Sequence, residues 1–201
     1  RLNPLFWVAL FCIAFACAKP ADSSEPPRPR AAQTPQEKPA KSVEQLDYVE
    51  VITGRAGPED KLPMIIAIHG LGDSPEGFSG IVRGFGEPAR VILPRGPEKY
   101  HNGFSWFSIR GTDWEDGAWV GELSRSAERI AALIRSLRRK RPTLGKPLVM
   151  GFSQGGMLSF TLAAHHSEEV GLAIPVGGFL PKSITPDKAS AGAMPRLVAF
   201  N

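Results

Sequence analysis

One serine, Ser153, lies in a sequence context that makes a hydroxyl nucleophilic. Residues 151–155 read Gly-Phe-Ser-Gln-Gly and directly follow the apolar run Leu148–Met150. A G-x-S-x-G sequence between a strand and a helix is typical of the sharp turn that exposes a nucleophilic serine. Such a turn holds the serine in a sparsely populated backbone conformation and packs too tightly for side chains at the two glycines. The pattern predicts that Ser153 attacks an acyl carbonyl. The alternative is a glycine-rich turn that contains an incidental serine.

A second motif upstream favours the catalytic interpretation. The apolar run Met64–Ile68 ends in His-Gly-Leu-Gly-Asp at residues 69–73. Attack on a carbonyl places negative charge on its oxygen, and backbone N–H groups of two loops stabilise that charge in folds of this type. The sequence therefore predicts an oxyanion hole formed by the backbone amides of Leu71 and Gln154. His69 could act as a base, but the usual chain order places the histidine after the serine, so a structural role is favoured.

The remaining segments predict the elements that would position these residues. Met64–Ile68, Arg90–Pro94, Leu172–Val176 and Arg196–Phe200 are short apolar runs typical of strands buried in a parallel sheet, and Tyr48–Thr53 predicts an edge strand. Helices are predicted from Val120 to Lys140, where apolar residues recur at steps of three and four, and from about Gln154 to His165. Strands that alternate with helices indicate an α/β protein with a doubly wound, mostly parallel sheet and a site at its carboxyl edge.

Together with Ser-Trp-Phe at residues 105–107, the two motifs resemble the phospholipase/carboxylesterase family of α/β-hydrolases. Acyl-protein thioesterases and small bacterial carboxylesterases belong to this family. The resemblance runs from about Leu62 to Asn201. It implies the α/β-hydrolase fold and a serine hydrolase that cleaves small-molecule esters or thioesters through an acyl-enzyme on Ser153. It also implies oxyanion amides at Leu71 and Gln154, and neither a metal nor an organic cofactor.

No acid or base can be assigned within the chain. In this family the acid follows the next strand within a few residues, and the histidine comes later still. Arg196–Phe200 matches that strand, and only Asn201 follows it. Asp187 precedes the strand, and His165 and His166 lie at the far end of the helix after Ser153. The predicted hydrolase domain covers residues 42–201, and we expect its C-terminal part to be missing from this sequence. A non-catalytic surface lipoprotein that uses the fold as a binding scaffold stays open as the alternative.

The N-terminal residues predict export. Leu5–Ala18 is an apolar run of 14 residues, which is short for a membrane span and suits a secretory signal. Residues 1–18 are therefore interpreted as a signal peptide or a lipoprotein signal. Cys17 follows Ala14-Phe15-Ala16 and resembles the lipobox cysteine of bacterial lipoproteins, which makes it a lipidation candidate. The protein would then reach the bacterial cell envelope through lipidated Cys17, or the periplasm or medium as a soluble enzyme.

Composition separates the N-terminal region from the folded domain. Residues 19–41 contain six of the 19 prolines and almost no apolar residue, so they predict a disordered linker. The chain has a net charge of +4, but residues 42–201 carry 18 Lys/Arg against 17 Asp/Glu. This near-neutral domain argues against a nucleic-acid partner, and the basic residues 138–141 are better explained as a solvated helix end. Both cysteines lie in the first 17 residues, so the domain has no disulfides or thiol metal ligands.

An aromatic segment has two interpretations. Residues 99–118 contain Phe104, Trp106 and Trp114, and Trp119 follows directly. Aromatic residues near the carboxyl edge of the sheet would wall an acyl pocket. They would equally well pack into the core below a long connection, because aromatic side chains bury a large apolar area anywhere. The sequence leaves both interpretations open.

Overall fold

The computed structural model describes residues 45–108, 117–187 and 194–200. The predicted signal segment, the linker, Cys17 and Trp114 lie outside these ranges. The described strands are β1 (Tyr48–Ile52), β2 (Met64–Ile68), β3 (Arg90–Pro94), β4 (Glu98–Tyr100), β5 (Gly103–Ser105), β6 (Leu148–Phe152), β7 (Leu172–Val176) and β8 (Arg196–Leu197). The described α-helices are α1 (Pro75–Phe78), α2 (Trp119–Lys140) and α3 (Gln154–His165), and short 3-10 turns cover Ser79–Val82 and Lys182–Ile184.

A six-stranded sheet organises the domain in the order β1-β3-β2-β6-β7-β8. Strand β1 lies at one edge and pairs antiparallel with β3, whereas the other neighbouring strands pair in parallel. The mostly parallel sheet predicted from the apolar runs is therefore confirmed. The carboxyl ends of β2, β6 and β7 consequently meet at one edge, which is where parallel α/β sheets place their sites.

Helical segments cover both faces of this sheet. Met64, Ile66 and Ile68 alternate along β2 onto one face, where they share a buried cluster with apolar residues of α2 and α3. Ala67 faces the opposite side, where Phe78 and Val82 of α1 and the following 3-10 turn pack against it. This two-sided packing explains why β2 has no polar side chain.

Helix α2 agrees with its predicted span and packs with its apolar stripe inwards. The residues spaced at three and four that predicted it are all buried: Leu123, Ala127, Ile130, Ile134 and Leu137. At its basic end, Arg138 lies 3.1 Å from Glu169 and Arg141 lies 3.2 Å from Glu50. Part of the basic cluster is thus paired within the domain, which supports its interpretation as a helix end. No helix within the described ranges is both long enough and apolar enough to span a bilayer.

Strand β8 is shorter than the predicted strand Arg196–Phe200, and Pro175 provides the reason. The Val198 amide donates to the Ala173 carbonyl at 3.0 Å, and the Phe200 amide donates to the Pro175 carbonyl at 3.0 Å. A regular parallel ladder would also need an N–H from residue 175, which proline lacks. The ladder therefore breaks after Leu197 and resumes as a single bridge between Val176 and Phe200.

Two elements were not predicted. Helix α1 begins after Ser74, whose hydroxyl accepts the Gly77 amide at 3.1 Å, and Pro75 occupies its first turn; both residue types are typical of a helix start. Strands β4 and β5 form a hairpin that adds to the loop after β2. There the Gly72 amide donates to the Phe104 carbonyl at 2.9 Å, and the Phe104 amide donates to the Asp73 carbonyl at 2.8 Å.

Candidate active site

Ser153 occupies the turn between β6 and α3 with a backbone conformation that few residues other than glycine adopt. Its φ is 54° and its ψ is −113°. The Ser153 amide donates to the Val176 carbonyl at the end of β7, at 2.9 Å. The serine is half-buried and lies at the carboxyl edge of the sheet. The predicted strand, sharp turn and helix around this serine are therefore present.

Glycines let α3 start directly against the end of β2. A Cβ atom at Gly155 would collide with the carbonyl groups of Ile68 and His69, and one at Gly151 would collide with the backbone of Gly155. Because both obstacles are backbone atoms, no side-chain movement could relieve them. The close approach brings the first turn of α3 against the end of β2, as the two glycines of the motif predicted.

The loop after β2 also approaches the serine. A Cβ atom at Gly70 would lie 3.3 Å from the Phe152 carbonyl oxygen and 3.5 Å from the Ser153 Cβ. The amides of the next two residues, Gly72 and Asp73, donate to the Phe104 and Gly70 carbonyls, and no bond from the Leu71 amide is seen within the described residues. The Gln154 amide is the first of α3 and has no acceptor within the helix. The joint role of the Leu71 and Gln154 amides as an oxyanion hole stays a prediction.

His69 is a structural residue under this loop. Its side chain is fully buried, its Nδ1 donates to the Gly70 carbonyl at 2.7 Å, and its Nε2 accepts the Gly96 amide at 3.1 Å. Burial lowers the pKa of His69, against the opposing effect of the Gly70 hydrogen bond, so the imidazole is neutral near pH 7. With both ring nitrogens engaged, His69 cannot take a proton from Ser153, which agrees with the role favoured from the sequence.

None of the other three histidines is hydrogen-bonded to Ser153 within the described residues. His101 is in the turn of the β4–β5 hairpin, where its ring contacts the Tyr100 ring edge-on at 4.5 Å. His165 donates through Nε2 to the Ile184 carbonyl at 2.6 Å, and His166 Nε2 lies 3.7 Å from Glu128. Twelve helical residues correspond to about 18 Å, which is the separation along α3 between Ser153 and His165. The described residues therefore provide no base for Ser153.

The aromatic segment packs into the core where the structure describes it. Trp106 and Phe107 are each 1% exposed and Trp119 is 2% exposed. Trp106 satisfies its indole N–H by donating to the His69 carbonyl at 3.0 Å. Phe104 is half-buried, with Arg95 and Lys99 over its ring. Core packing is thus the correct interpretation of Trp106 and Trp119.

Other apolar side chains are exposed in the loops at the carboxyl edge of the sheet. Phe152 is 54% exposed, although it lies next to Ser153, and a Cβ atom at Gly177 would be 3.6 Å from its ring. Its ring therefore lies between the loops that follow β2 and β7. Leu71 and Phe179, one in each loop, are also exposed. Sequence reasoning did not single out these exposed apolar residues, although their positions at or just after strand ends could have indicated them.

No group of three or more His, Cys, Asp or Glu side chains within the described ranges is arranged to hold a metal ion. The predicted reactive groups at this edge of the sheet are the hydroxyl of Ser153 and the backbone amides of Leu71 and Gln154. These groups are suited to nucleophilic attack on a carbonyl and to stabilisation of the resulting anion.

Comparison with known proteins agrees with this arrangement. The sequence model of the phospholipase/carboxylesterase family matches residues 47–197. The structure is similar to that of esterase PE8, with 18% identity, a TM-score of 0.62, and coverage of 77% of this chain and 74% of that chain. The Bacillus cereus carboxylesterase is 14% identical, with a TM-score of 0.58 and coverage of 71% of this chain and 65% of that chain. Zea mays acyl-protein thioesterase 2 is 19% identical, with a TM-score of 0.55 and coverage of 76% of this chain and 74% of that chain. The predicted α/β-hydrolase fold is confirmed.

Proposed function

The chain belongs to the phospholipase/carboxylesterase family, and on that premise we propose that it hydrolyses esters or thioesters through an acyl-enzyme on Ser153. The observation that carries the proposal is the backbone of Ser153, with φ 54° and ψ −113° at the carboxyl edge of the sheet. Such a conformation costs about 1–3 kcal/mol and persists chiefly where a function requires it. Here it would project the hydroxyl towards the loops that carry the proposed oxyanion amides.

The reaction proceeds in two acyl transfers. The Ser153 Oγ forms a bond to the carbonyl carbon while its proton passes to a general base, and the C=O electron pair moves onto the oxygen. The amides of Leu71 and Gln154 donate to this oxyanion. When the C=O bond re-forms, the C–O or C–S bond breaks, and the leaving group takes the proton from the base. Water then attacks the acyl-enzyme in the same way, which releases the carboxylic acid and regenerates the serine.

The described residues leave the roles of the base and its acid partner unassigned. His69, His165 and His166 make their contacts elsewhere, and His101 packs in the turn of the β4–β5 hairpin. Phe200 lies at the same edge of the sheet as Ser153, because its carbonyl accepts the Gly177 amide at 2.8 Å and Val176 accepts the Ser153 amide. No described feature favours the non-catalytic scaffold.

The surroundings of the serine support a substrate with an apolar acyl group. Phe152 adjoins Ser153 in the chain, and it and Leu71 and Phe179, which follow the carboxyl ends of β2 and β7, present exposed apolar surface. Exposed aromatic and aliphatic side chains beside a nucleophile are suited to a ligand that buries hydrocarbon. Esters and thioesters differ only in the leaving group, which lies on the side of the carbonyl opposite the acyl group. We therefore include both as substrates.

We further propose that the enzyme acts outside the cytoplasm, either anchored by lipid on Cys17 or as a soluble exported protein. The support is the apolar run Leu5–Ala18 and the proline-rich residues 19–41 that follow it. A linker of this composition would let the hydrolase domain extend away from a membrane surface.

Substitution of Ser153 by alanine in the complete gene product tests the proposed reaction. Hydrolysis of a p-nitrophenyl ester should fall by about 10⁴-fold or more, because the groups of a catalytic triad act as a unit. Ser159→Ala is the matched control, since Ser159 lies in the same helix and its buried hydroxyl donates to Gly155 at 2.9 Å. A fluorophosphonate should add its mass to Ser153 in the wild type. Unchanged ester turnover in Ser153→Ala would show that the nucleophile is another residue.

A further inference from the structure

The two amides assigned to the oxyanion hole lie on different loops, so their separation must be fixed by something else. Leu71 follows β2 and Gln154 begins α3, which follows β6. Stabilisation of an oxyanion requires both donors to lie within about 0.5 Å of their productive positions. Gly155 packs against Ile68 and sets a limit on how close the loops come. It does not prevent them from separating or sliding.

The side chain of Gln154 connects α3 to residues 105–107. This side chain is buried, and its Oε1 accepts the Trp106 amide at 3.0 Å and the Ser105 hydroxyl at 3.3 Å. Its Nε2 donates to the Phe107 carbonyl at 2.8 Å. Burial of an amide is unfavourable unless its polar atoms find partners. Here both polar atoms find them in a single segment.

The same segment also holds the loop after β2. The Trp106 indole N–H donates to the His69 carbonyl at 3.0 Å, and its ring packs against the His69 imidazole with ring centroids 5.1 Å apart. His69 in turn bonds to the Gly70 carbonyl, directly before Leu71. The Trp106 carbonyl accepts the Ser126 hydroxyl at 2.7 Å, which fixes the segment on α2.

We propose that Ser105–Phe107 is a brace that sets the distance between the two oxyanion amides. The Gln154 side chain and the Trp106 indole N–H are the positioning groups that join the two loops to it. This inference rests on the proposed acyl transfer. It gives the Gln154 side chain a role of its own, separate from the proposed donation of the Gln154 backbone amide to the oxyanion. If only core packing were needed at residue 154, an apolar side chain would serve without the cost of burying an amide.

The brace can be tested without removing either donor. Gln154→Ala and Gln154→Met change the side chain and leave the backbone N–H in place. Loss of an entire oxyanion donor costs about 10²–10³ in kcat, so a displaced donor should lower kcat by about 10- to 100-fold. KM should change little, because the ground-state carbonyl carries little charge. Trp106→Phe removes the indole N–H together with part of the ring and should lower kcat by about 10-fold.

A transition-state analogue distinguishes positioning from a general loss of structure. An alkyl trifluoromethyl ketone adds to the serine hydroxyl and places a negative oxygen in the oxyanion hole. Its inhibition constant should rise by the same factor by which kcat/KM falls in each variant. Thr161→Val is the control, since it removes a buried hydroxyl of α3 that donates to the Met157 carbonyl at 2.8 Å rather than to the brace. This control should leave kcat and ketone affinity unchanged.

Each outcome supports or overturns the brace. All assays use the complete gene product, well below the melting temperature of the least stable variant. If the wild type is active and Gln154→Met keeps its kcat and ketone affinity, the brace is overturned and the proposed reaction stays intact. A wild type without ester turnover would overturn both. If the Gln154 variants do not fold, Trp106→Phe carries the test, and an unchanged kcat there overturns the brace.

Discussion

Replacement of Ser153 by glycine should stabilise the folded protein while it removes the nucleophile. Ser153 has φ 54° and ψ −113°, a combination that lies outside the left-handed helical region and brings Cβ close to the backbone. Glycine has no Cβ and adopts such conformations readily. The wild-type serine therefore carries a backbone strain that glycine would release.

The size of the effect follows from three contributions. Strain of this kind costs about 1–3 kcal/mol. Glycine lowers stability by about 0.4–1 kcal/mol through the greater freedom it gives the unfolded chain. The Ser153 side chain makes no capping hydrogen bond to α3, so little is lost with the hydroxyl. The middle of each range leaves a net gain of about 1.3 kcal/mol, which corresponds to a rise in Tm of roughly 3–5 °C for a domain of this size.

Thermal and urea unfolding of Ser153→Gly and Ser153→Ala measure this strain. Alanine keeps Cβ and the strain, so its free energy of unfolding should lie within about 0.5 kcal/mol of the wild type. Glycine should raise the urea midpoint without changing the m-value, because the surface exposed on unfolding stays the same. If Ser153→Gly unfolded at or below the midpoint of Ser153→Ala, the turn would not be strained and the main support for the proposed function would fail.

Three further predictions concern packing, pH and export. Gly155→Ala forces a methyl group against the Ile68 carbonyl, so urea unfolding should show a loss of about 1–3 kcal/mol. Burial lowers the pKa of His69, so below about pH 6.5 the unfolded chain binds a proton that the folded protein excludes. The free energy of unfolding should therefore fall as the pH drops below that value, and His69→Gln should reduce the slope. If Cys17 is lipidated, Cys17→Ser should release the enzyme from the membrane fraction, because the variant would lack the two or more acyl chains that stable anchoring needs.

Each of these has a control or a contrary outcome. A Cβ atom at Gly80 would have no atom within 4 Å, so Gly80→Ala should be nearly neutral, and equal stability of the two alanine variants would contradict the packing argument. The pKa of His166 is also lowered by burial, so part of the acid slope should persist in His69→Gln. An unaltered slope would exclude His69 as its source. A wild-type N-terminus without added lipid mass would leave soluble export as the interpretation.

The sequence predicted the central sheet well because buried parallel strands are short, apolar and bounded by turns. Met64–Ile68 and Leu172–Val176 have the predicted bounds, and the helix after Ser153 also spans its predicted residues. Local pattern was sufficient for these elements, since each buries apolar side chains over its own length. The sequence also determines the break of the β7–β8 ladder after Leu197. That break depends on Pro175 in the neighbouring strand rather than on a residue of β8 itself.

The hairpin and the brace could not be predicted because their stability comes from residues distant in the chain. Strand β5 pairs with the loop after β2 through Phe104 and Asp73. The partners of the Gln154 side chain lie 47 to 49 residues before it. A sequence reveals that glutamine follows the serine, but it does not reveal which backbone groups the amide reaches. For Trp106, the acceptor that makes full burial of the indole favourable is the His69 carbonyl, which local pattern cannot identify.

Two kinds of contact therefore fix the geometry around Ser153. Glycine contacts bring backbone against backbone, as at Gly155 and Ile68, and they set the closest approach of the loops. Hydrogen bonds to residues 105–107 set how far the loops can separate, because an N–H···O bond weakens steeply when it is stretched or bent. A repulsive contact alone would leave the amides free to move apart, and an attractive network alone would leave their separation soft. The combination explains why the glycines and the Ser-Trp-Phe segment occur in one chain although they are far apart in sequence.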